Sequence, residues 1–174
     1  VAGGLKAIVL EKSAVFGGTT ALSGGGMWIP NNYVMQAAGV KDSKEEALQY
    51  MRAINEGASS NEMMSAYLDK ANEMLNWLRD KAGFKFQRSS PQSFADYYPW
   101  APGVHDAVGG RMVSILRDDK VGAGKGLMQS IKEWLDAHKV DILLETPAKR
   151  LVVDANGAVL GVIAQANGAE IAIK

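Results

Sequence analysis

The sequence predicts an α/β fold, on three observations. Leu5–Leu10 is a nearly continuous apolar run directly before an acid, which is typical of a buried parallel strand. Two stretches that open at Ser43 and Ser59 carry capping boxes and apolar residues at helical spacing. Near the C-terminal end, Asn156-Gly157 and Asn167-Gly168 separate apolar-rich stretches, and this pattern predicts an antiparallel β-meander.

The other elements follow from local signals. Glu11–Gly26 is predicted as a loop with one helical turn, and Met27–Pro30 as extended chain because a residue before proline avoids the helical region. A short helix over Asn32–Ala38 should end at Gly39. The helix from Ser59 should continue to Gly83. A short strand is then predicted at Phe84–Phe86, followed by a long loop over Ser89–Gly110. A helix should begin after Gly126, and a strand is predicted at Asp141–Leu144.

Composition narrows the function. The 174 residues are 47% apolar, and 19 Lys plus Arg balance 19 Asp plus Glu, which gives no electrostatic footprint for nucleic acid. There is no cysteine, so disulfides, thiolate catalysis and zinc–sulfur sites are excluded. No apolar run approaches the length of a transmembrane span, and no signal peptide opens the chain. We therefore expect a cytoplasmic protein with a small-molecule substrate and no metal.

The segment Glu11–Pro30, EKSAVFGGTTALSGGGMWIP, carries the chemistry. An acid at the end of the second strand of a dinucleotide-binding fold usually binds a ribose hydroxyl, and clustered glycines let backbone approach a ligand closely. The glycine fingerprint should lie about 20 residues upstream, yet only ten residues precede Glu11. We therefore expect an incomplete Rossmann-like FAD-binding domain, with segments missing at both ends. The alternative is that Gly3-Gly4 is a surface turn and Glu11 a solvated strand end.

The run GGTTALSGGGMWIPNN, two helices, a DYYP loop and a helix–meander ending give the chain a family resemblance. Over nearly its whole length it resembles the FAD-binding domain of 3-ketosteroid 1-dehydrogenases, in the fumarate reductase/succinate dehydrogenase flavoprotein superfamily. The resemblance implies an oxidoreductase that takes a hydride and a proton from adjacent carbons of a ketone-bearing ring, with FAD as hydride acceptor. It also implies that the chain is one domain in three segments. These are the second strand and flavin loop (1–39), a helical insertion with the tyrosine loop (40–121), and a helix with the β-meander (122–174). A separate catalytic domain would lie beyond Lys174.

The resemblance also implies roles for individual residues. Glu11 would bind the adenosine ribose, and Lys12 could add charge nearby, although a solvated lysine is the alternative. The pyrophosphate would be approached by Gly17, Gly18, Thr19 and Thr20, and the isoalloxazine side by Ser23, Gly24 and Gly25. Tyr97 would face the substrate and support proton abstraction, or else it pins the loop to the core.

Some features leave other functions open. The stretch between the tyrosine loop and the following helix is compact, which puts a steroid substrate in doubt. Arg111 could bind the carboxylate of a fumarate-like substrate, although a surface arginine is the plainer interpretation. His105 and Asp106 could shuttle protons or be ordinary loop residues. A fumarate reductase-like flavoprotein and a cofactor-free interaction module therefore remain alternatives.

Overall fold

The computed structural model describes residues 3–88, 96, 98, 100–104 and 111–174. Within them the chain forms two compact units, one built from Val1–Thr20 with Met128–Lys174 and the other from Ala21–Leu127. The helices are α1 Gly18–Leu22, α2 Tyr33–Ala37, α3 Lys44–Asn55, α4 Asn61–Asp80 and α5 Ala123–Ala137. The strands are β1 Ile8–Leu10, β2 Met27–Trp28, β3 Phe86–Arg88, β4 Met112–Arg117, β5 Lys120–Val121, β6 Asp141–Leu143, β7 Ala148–Val153, β8 Val159–Ala166 and β9 Ala169–Ile173.

The unit that contains both chain ends has a parallel pair and a meander. β1 pairs in parallel with β6, in the register Ile8↔Asp141. β7, β8 and β9 form a three-stranded antiparallel sheet in sequence order, which confirms the predicted meander. The β8–β9 turn has positive φ at both Asn167 and Gly168, 52° and 79°, as a type I′ hairpin turn requires.

The unit from Ala21 to Leu127 packs helices on an antiparallel sheet. The strand order is β2-β4-β3, with β5 paired to the far end of β4. α2 is capped by Asn32, whose side-chain oxygen accepts from the N–H groups of Val34 and Met35 at 3.0 Å each. The core of this unit is formed by residues at most 1% exposed, namely Ile29, Asn32, Met35, Ala47, Leu75, Arg111, Val113 and Ile115.

The structure corrects several predicted bounds: β3 lies at Phe86–Arg88 rather than Phe84–Phe86, and α5 begins at Ala123 rather than after Gly126. The first strand is parallel as predicted, but it spans three residues and Ile8 remains 40% exposed, because β6 is its one paired neighbour among the described residues. The cap of α4 is Ser60 rather than Ser59, since the Ser60 hydroxyl accepts from the Met63 N–H at 3.2 Å.

The sequence analysis missed β4, the central strand of its sheet. Val113, Ser114 and Ile115 are all buried, so this strand shows no alternation of apolar and polar residues. The hairpin to β5 turns through Asp118 and Asp119, which both have positive φ. Most of the predicted long loop Ser89–Gly110 lies outside the described residues.

Across the described residues, no helix is both long enough and apolar enough to cross a membrane. The same residues contain no cluster of three or more His, Cys, Asp or Glu that could hold a metal ion.

Candidate functional site

Glu11 is fixed at the carboxyl end of the parallel strand β1. Its N–H donates to the Leu143 carbonyl at 2.9 Å, and its carbonyl accepts from the Thr146 N–H at 2.8 Å. The half-buried side chain is oriented locally, because its Oε1 accepts from the Ser13 N–H at 2.7 Å. The carboxyl ends of parallel strands are where open α/β sheets bind ligands, so this acid lies where a ribose partner is expected.

The backbone conformation at Gly17 and Gly18, which follow Glu11 in the motif, explains why glycine occupies these positions. Gly17 and Gly18 have φ of 123° and 49°, and Gly18 begins the short helix α1. A Cβ on Gly18 would meet no heavy atom within 4 Å, so the space beside it is open. Thr19 and Thr20 are exposed, as is Lys12. These backbone groups and hydroxyls suit a polar, phosphate-bearing ligand.

The second glycine cluster packs against the start of α5. The Ser23 carbonyl accepts from the Gly124 N–H at 3.0 Å, and the Ser23 hydroxyl accepts from the Gly25 N–H at 3.1 Å. Gly25 has φ 68°, and a Cβ there would lie 2.4 Å from both Ala123 C and Gly124 N. Gly24 differs, because a Cβ there would meet nothing within 4 Å. The need for glycine at position 25 is therefore explained by packing, and position 24 borders open space.

An aromatic cleft of about 270 Å³ opens beside the strand that ends this motif. Trp28 lies at its centre, with its ring 5.7 Å from that of Tyr50 and 6.4 Å from that of Tyr67. Tyr98 also lines the cleft, and its N–H donates to the Tyr50 hydroxyl at 3.3 Å. The lining residues are Trp28, Tyr50, Met51, Ile54, Tyr67 and Tyr98. Apolar and aromatic walls of this kind suit a ring-shaped apolar ligand.

Two phenols of the aromatic cleft, those of Tyr50 and Tyr67, are protonated at neutral pH. Burial raises the pKa of Tyr67, whose hydroxyl donates to the Trp28 carbonyl. Burial also raises the pKa of Tyr50, and the negative charge of Asp96 acts in the same direction. Because both values rise from about 10, neither group is a base near neutral pH.

Among the described residues of the Ala21–Leu127 unit, Arg111 is the most buried charged residue, so the expectation of a surface arginine is wrong. Its side chain and that of Asp42 are 0% exposed, and that of Asp96 is 1% exposed. Nε and Nη2 donate to the two Asp42 oxygens at 2.9 and 2.7 Å. Nη1 donates to Asp96 Oδ2 at 2.7 Å and to the Gly103 carbonyl at 3.0 Å. All three guanidinium nitrogens are therefore engaged within the protein.

This buried ion cluster reaches the glycine-rich motif. Asp96 Oδ1 accepts from Trp28 Nε1 at 2.6 Å, and the Arg111 guanidinium lies 5.5 Å from the Trp28 ring centroid. Burial alone would raise the pKa of Asp42. The Arg111 guanidinium and the N–H groups of Asn31 and Ser43 outweigh that effect and hold the pKa below its ordinary value. Asp42 is therefore ionised at neutral pH.

The predicted site residues are distributed unevenly over the described structure. Glu11, Lys12 and Gly17–Thr20 fall in one unit, and Ser23–Gly25 in the other. Tyr97, His105 and Asp106 lie outside the described residues. Sequence reasoning missed the ion cluster and the aromatic cleft, although one signal was present: Trp28 belongs to the motif itself. In the first unit, Glu11, Thr19 and Thr20 offer polar groups, and Gly18 borders open space. In the second unit, Gly24 borders open space.

Comparison with known proteins defines the class. The FAD binding domain family matches residues 2–174. The 3-oxosteroid 1-dehydrogenase of Comamonas testosteroni is 29% identical, over 95% of this chain and 40% of that enzyme. The 4-oxocyclohexanecarboxylate 2-dehydrogenase of Sinomonas cyclohexanicum is 36% identical, over 75% of this chain and 24% of that enzyme.

The chain is also similar to a solved structure. The 3-ketosteroid Δ1-dehydrogenase of Sterolibacterium denitrificans, crystallised with 1,4-androstadiene-3,17-dione, superposes with a TM-score of 0.83 at 25% identity. The superposition covers 98% of this chain and 42% of that protein. This chain belongs to the FAD binding domain family, and FAD is the cofactor of that domain. It spans less than half the length of the relatives named here.

Proposed function

We propose that the protein carrying this chain is an FAD-dependent dehydrogenase of ring ketones, with 3-ketosteroids as one substrate class. The observation that carries the proposal is the aromatic cleft around Trp28, whose walls suit an alicyclic ring. The similarity to enzymes named for a 3-oxosteroid and for 4-oxocyclohexanecarboxylate, both of them ring ketones, supports it. A fumarate-like substrate loses its main support, because Arg111 is fully engaged with Asp42, Asp96 and Gly103.

The reaction proposed is a dehydrogenation that forms one carbon–carbon double bond. A proton leaves the carbon beside the ketone, where the carbonyl makes it acidic, and a hydride leaves the neighbouring carbon. FAD, when bound, supplies the acceptor for that hydride. Tyr97 would take the proton, while the protonated phenols of Tyr50 and Tyr67 hold the cleft in shape.

The residues proposed for the cofactor divide by chemistry. Glu11 would accept from the adenosine ribose hydroxyls, with Lys12 adding positive charge nearby. Gly17, Gly18, Thr19 and Thr20 would offer N–H and hydroxyl groups to the pyrophosphate. Ser23, Gly24 and Gly25 would lie on the isoalloxazine side, where Gly24 has free space.

The function is tested by steady-state turnover of the FAD-loaded protein with a dye as final electron acceptor. We expect 4-androstene-3,17-dione or 4-oxocyclohexanecarboxylate to be converted to a product with one more double bond. Turnover of fumarate by the reduced protein, with neither ketone consumed, would favour the reductase alternative. Failure to retain flavin would favour the interaction module.

We expect Glu11→Ala to weaken FAD binding about 10–100-fold, the value of one hydrogen bond to a charged group at about 1.5–3 kcal/mol. The physical reason is the place of the acid at the end of β1, with one oxygen already oriented by Ser13. Flavin titration monitored by fluorescence quenching measures the affinity. Glu170→Ala, at an exposed position of β9, is the control and should bind like the wild type. An unchanged affinity in Glu11→Ala would remove the ribose assignment.

We expect Tyr97→Phe to lower kcat about 100-fold or more with the flavin still bound, since general base catalysis contributes about 10²–10⁴. The matched control is Tyr33→Phe, which makes the same change on a tyrosine of α2 that does not line the aromatic cleft and should leave kcat near the wild-type value. Full turnover in Tyr97→Phe would reduce the tyrosine to a structural role.

A further inference from the structure

The Arg111 cluster joins segments that are far apart in sequence. Its guanidinium links Asp42, just before α3, to Asp96 and Gly103 on either side of the tyrosine pair. Asp96 in turn holds the Trp28 indole at 2.6 Å. One cation therefore connects the entrance of α3, the tyrosine loop and the central ring of the aromatic cleft.

The two carboxylates on this guanidinium have different tasks. Asp42 accepts both bonds of the bidentate interaction with Arg111. Its other bonds are accepted from the backbone N–H groups of Asn31 and Ser43. Asp96 accepts from Arg111 with Oδ2 and from Trp28 with Oδ1. Asp96 is thus the residue that connects the Arg111 guanidinium to the aromatic cleft.

Gly103 contacts the same guanidinium nitrogen as Asp96. Gly103 has φ 74°, and a Cβ there would lie 2.2 Å from the Glu46 carbonyl of α3. Its own carbonyl accepts from Arg111 Nη1 at 3.0 Å, the nitrogen that also binds Asp96. The chain on both sides of the tyrosine pair is therefore tied to one nitrogen atom.

We propose that Arg111, acting through Asp96, is a positioning residue that fixes Trp28 and Tyr98 in the wall of the aromatic cleft for ligand binding. A lysine cannot replace it, because a single ammonium group cannot serve two carboxylates and a carbonyl in the geometry of a planar fork. The ligand-binding part of this proposal rests on the proposed function, whereas the effect on Trp28 does not.

The test compares Asp96→Asn with Asp42→Asn, the same chemical change on the two carboxylates of one guanidinium. Three quantities are measured: the free energy of unfolding, the Trp28 indole N–H resonance, assigned with Trp28→Phe, and the Kd of 4-androstene-3,17-dione. We expect both variants to lose stability. Asp96→Asn should also shift the indole resonance and raise the Kd about tenfold, a change of about 1.4 kcal/mol. Asp42→Asn should leave the Kd within about twofold of the wild type, inside the normal scatter of context effects.

Arg111→Lys provides a second variant and should behave like Asp96→Asn, with Arg150→Lys on the exposed face of β7 as its control. Equal effects of Asp96→Asn and Asp42→Asn on the indole resonance and on Kd would show a merely structural cluster and overturn the proposal. So would an unshifted indole resonance in both Asp96→Asn and Arg111→Lys. If the wild type binds no steroid, the proposed function fails, and the indole resonance alone still decides the positioning role.

Discussion

Replacing Arg111 with methionine is expected to lower the free energy of unfolding by about 3–5 kcal/mol, the usual cost of removing one partner from a buried ion pair. The methionine fills much of the same volume, so the loss comes chiefly from charge. Asp42 and Asp96 would stay in a site where their side chains are 0% and 1% exposed, without the cation that compensates them. Urea unfolding followed by circular dichroism measures the change.

Arg150→Met is the matched control, because it makes the same substitution at an exposed position of β7. Its effect should stay within about 0.5 kcal/mol, as is usual for surface changes. A loss at Arg111 no larger than the loss at Arg150 would contradict the buried cluster.

The same cluster predicts how stability responds to acid. The pKa of Asp42 is lower in the folded protein than in the unfolded chain, so its stabilising contribution is present above about pH 4. It is lost as the pH falls through the lower, folded-state pKa. In Arg111→Met this part of the acid dependence should shrink, because the main cause of the low pKa is gone.

Replacing Gly25 with alanine is the second large effect that we expect, at about 2–5 kcal/mol. A left-handed backbone costs an alanine about 1–2 kcal/mol, and overpacking adds about 1–3 kcal/mol. The new methyl group would lie 2.4 Å from Ala123 C and Gly124 N, which are backbone atoms and cannot rotate away. Thermal or urea unfolding detects the loss.

Gly24→Ala is the control in the adjacent position of the same motif. A Cβ there meets nothing within 4 Å, so its stability should be close to that of the wild type. Because Gly24 borders open space and is proposed to lie on the isoalloxazine side, we expect this variant to affect FAD affinity more than folding. Equal destabilisation of the two variants would contradict the packing against α5.

The local signals of the sequence predicted most of the elements. Capping residues located α3 and α4 to within one or two positions, and the two Asn-Gly dipeptides located the meander. The family followed from the glycine-rich motif and is confirmed by the match over residues 2–174. These features are local or depend on short spacing, which a single sequence displays directly.

The features that could not be predicted from the sequence depend on contacts between residues far apart along the chain. Arg111 pairs with Asp42 and Asp96 across 69 and 15 positions, and no local pattern marks such a pairing. β4 lacks alternation because consecutive residues are buried on both faces. The aromatic cleft brings together Trp28, Tyr50, Tyr67 and Tyr98, which lie up to 70 positions apart in the sequence. The role of Tyr97 stays a prediction.

The proposed dehydrogenation of ring ketones is measured by anaerobic mixing of the FAD-loaded protein with 4-androstene-3,17-dione. Without an electron acceptor, one turnover must leave its hydride on the flavin. We expect bleaching of the visible flavin band together with one equivalent of the more unsaturated ketone. A protein that keeps its flavin bound yet fully oxidised, with both this steroid and 4-oxocyclohexanecarboxylate, would overturn the proposed activity.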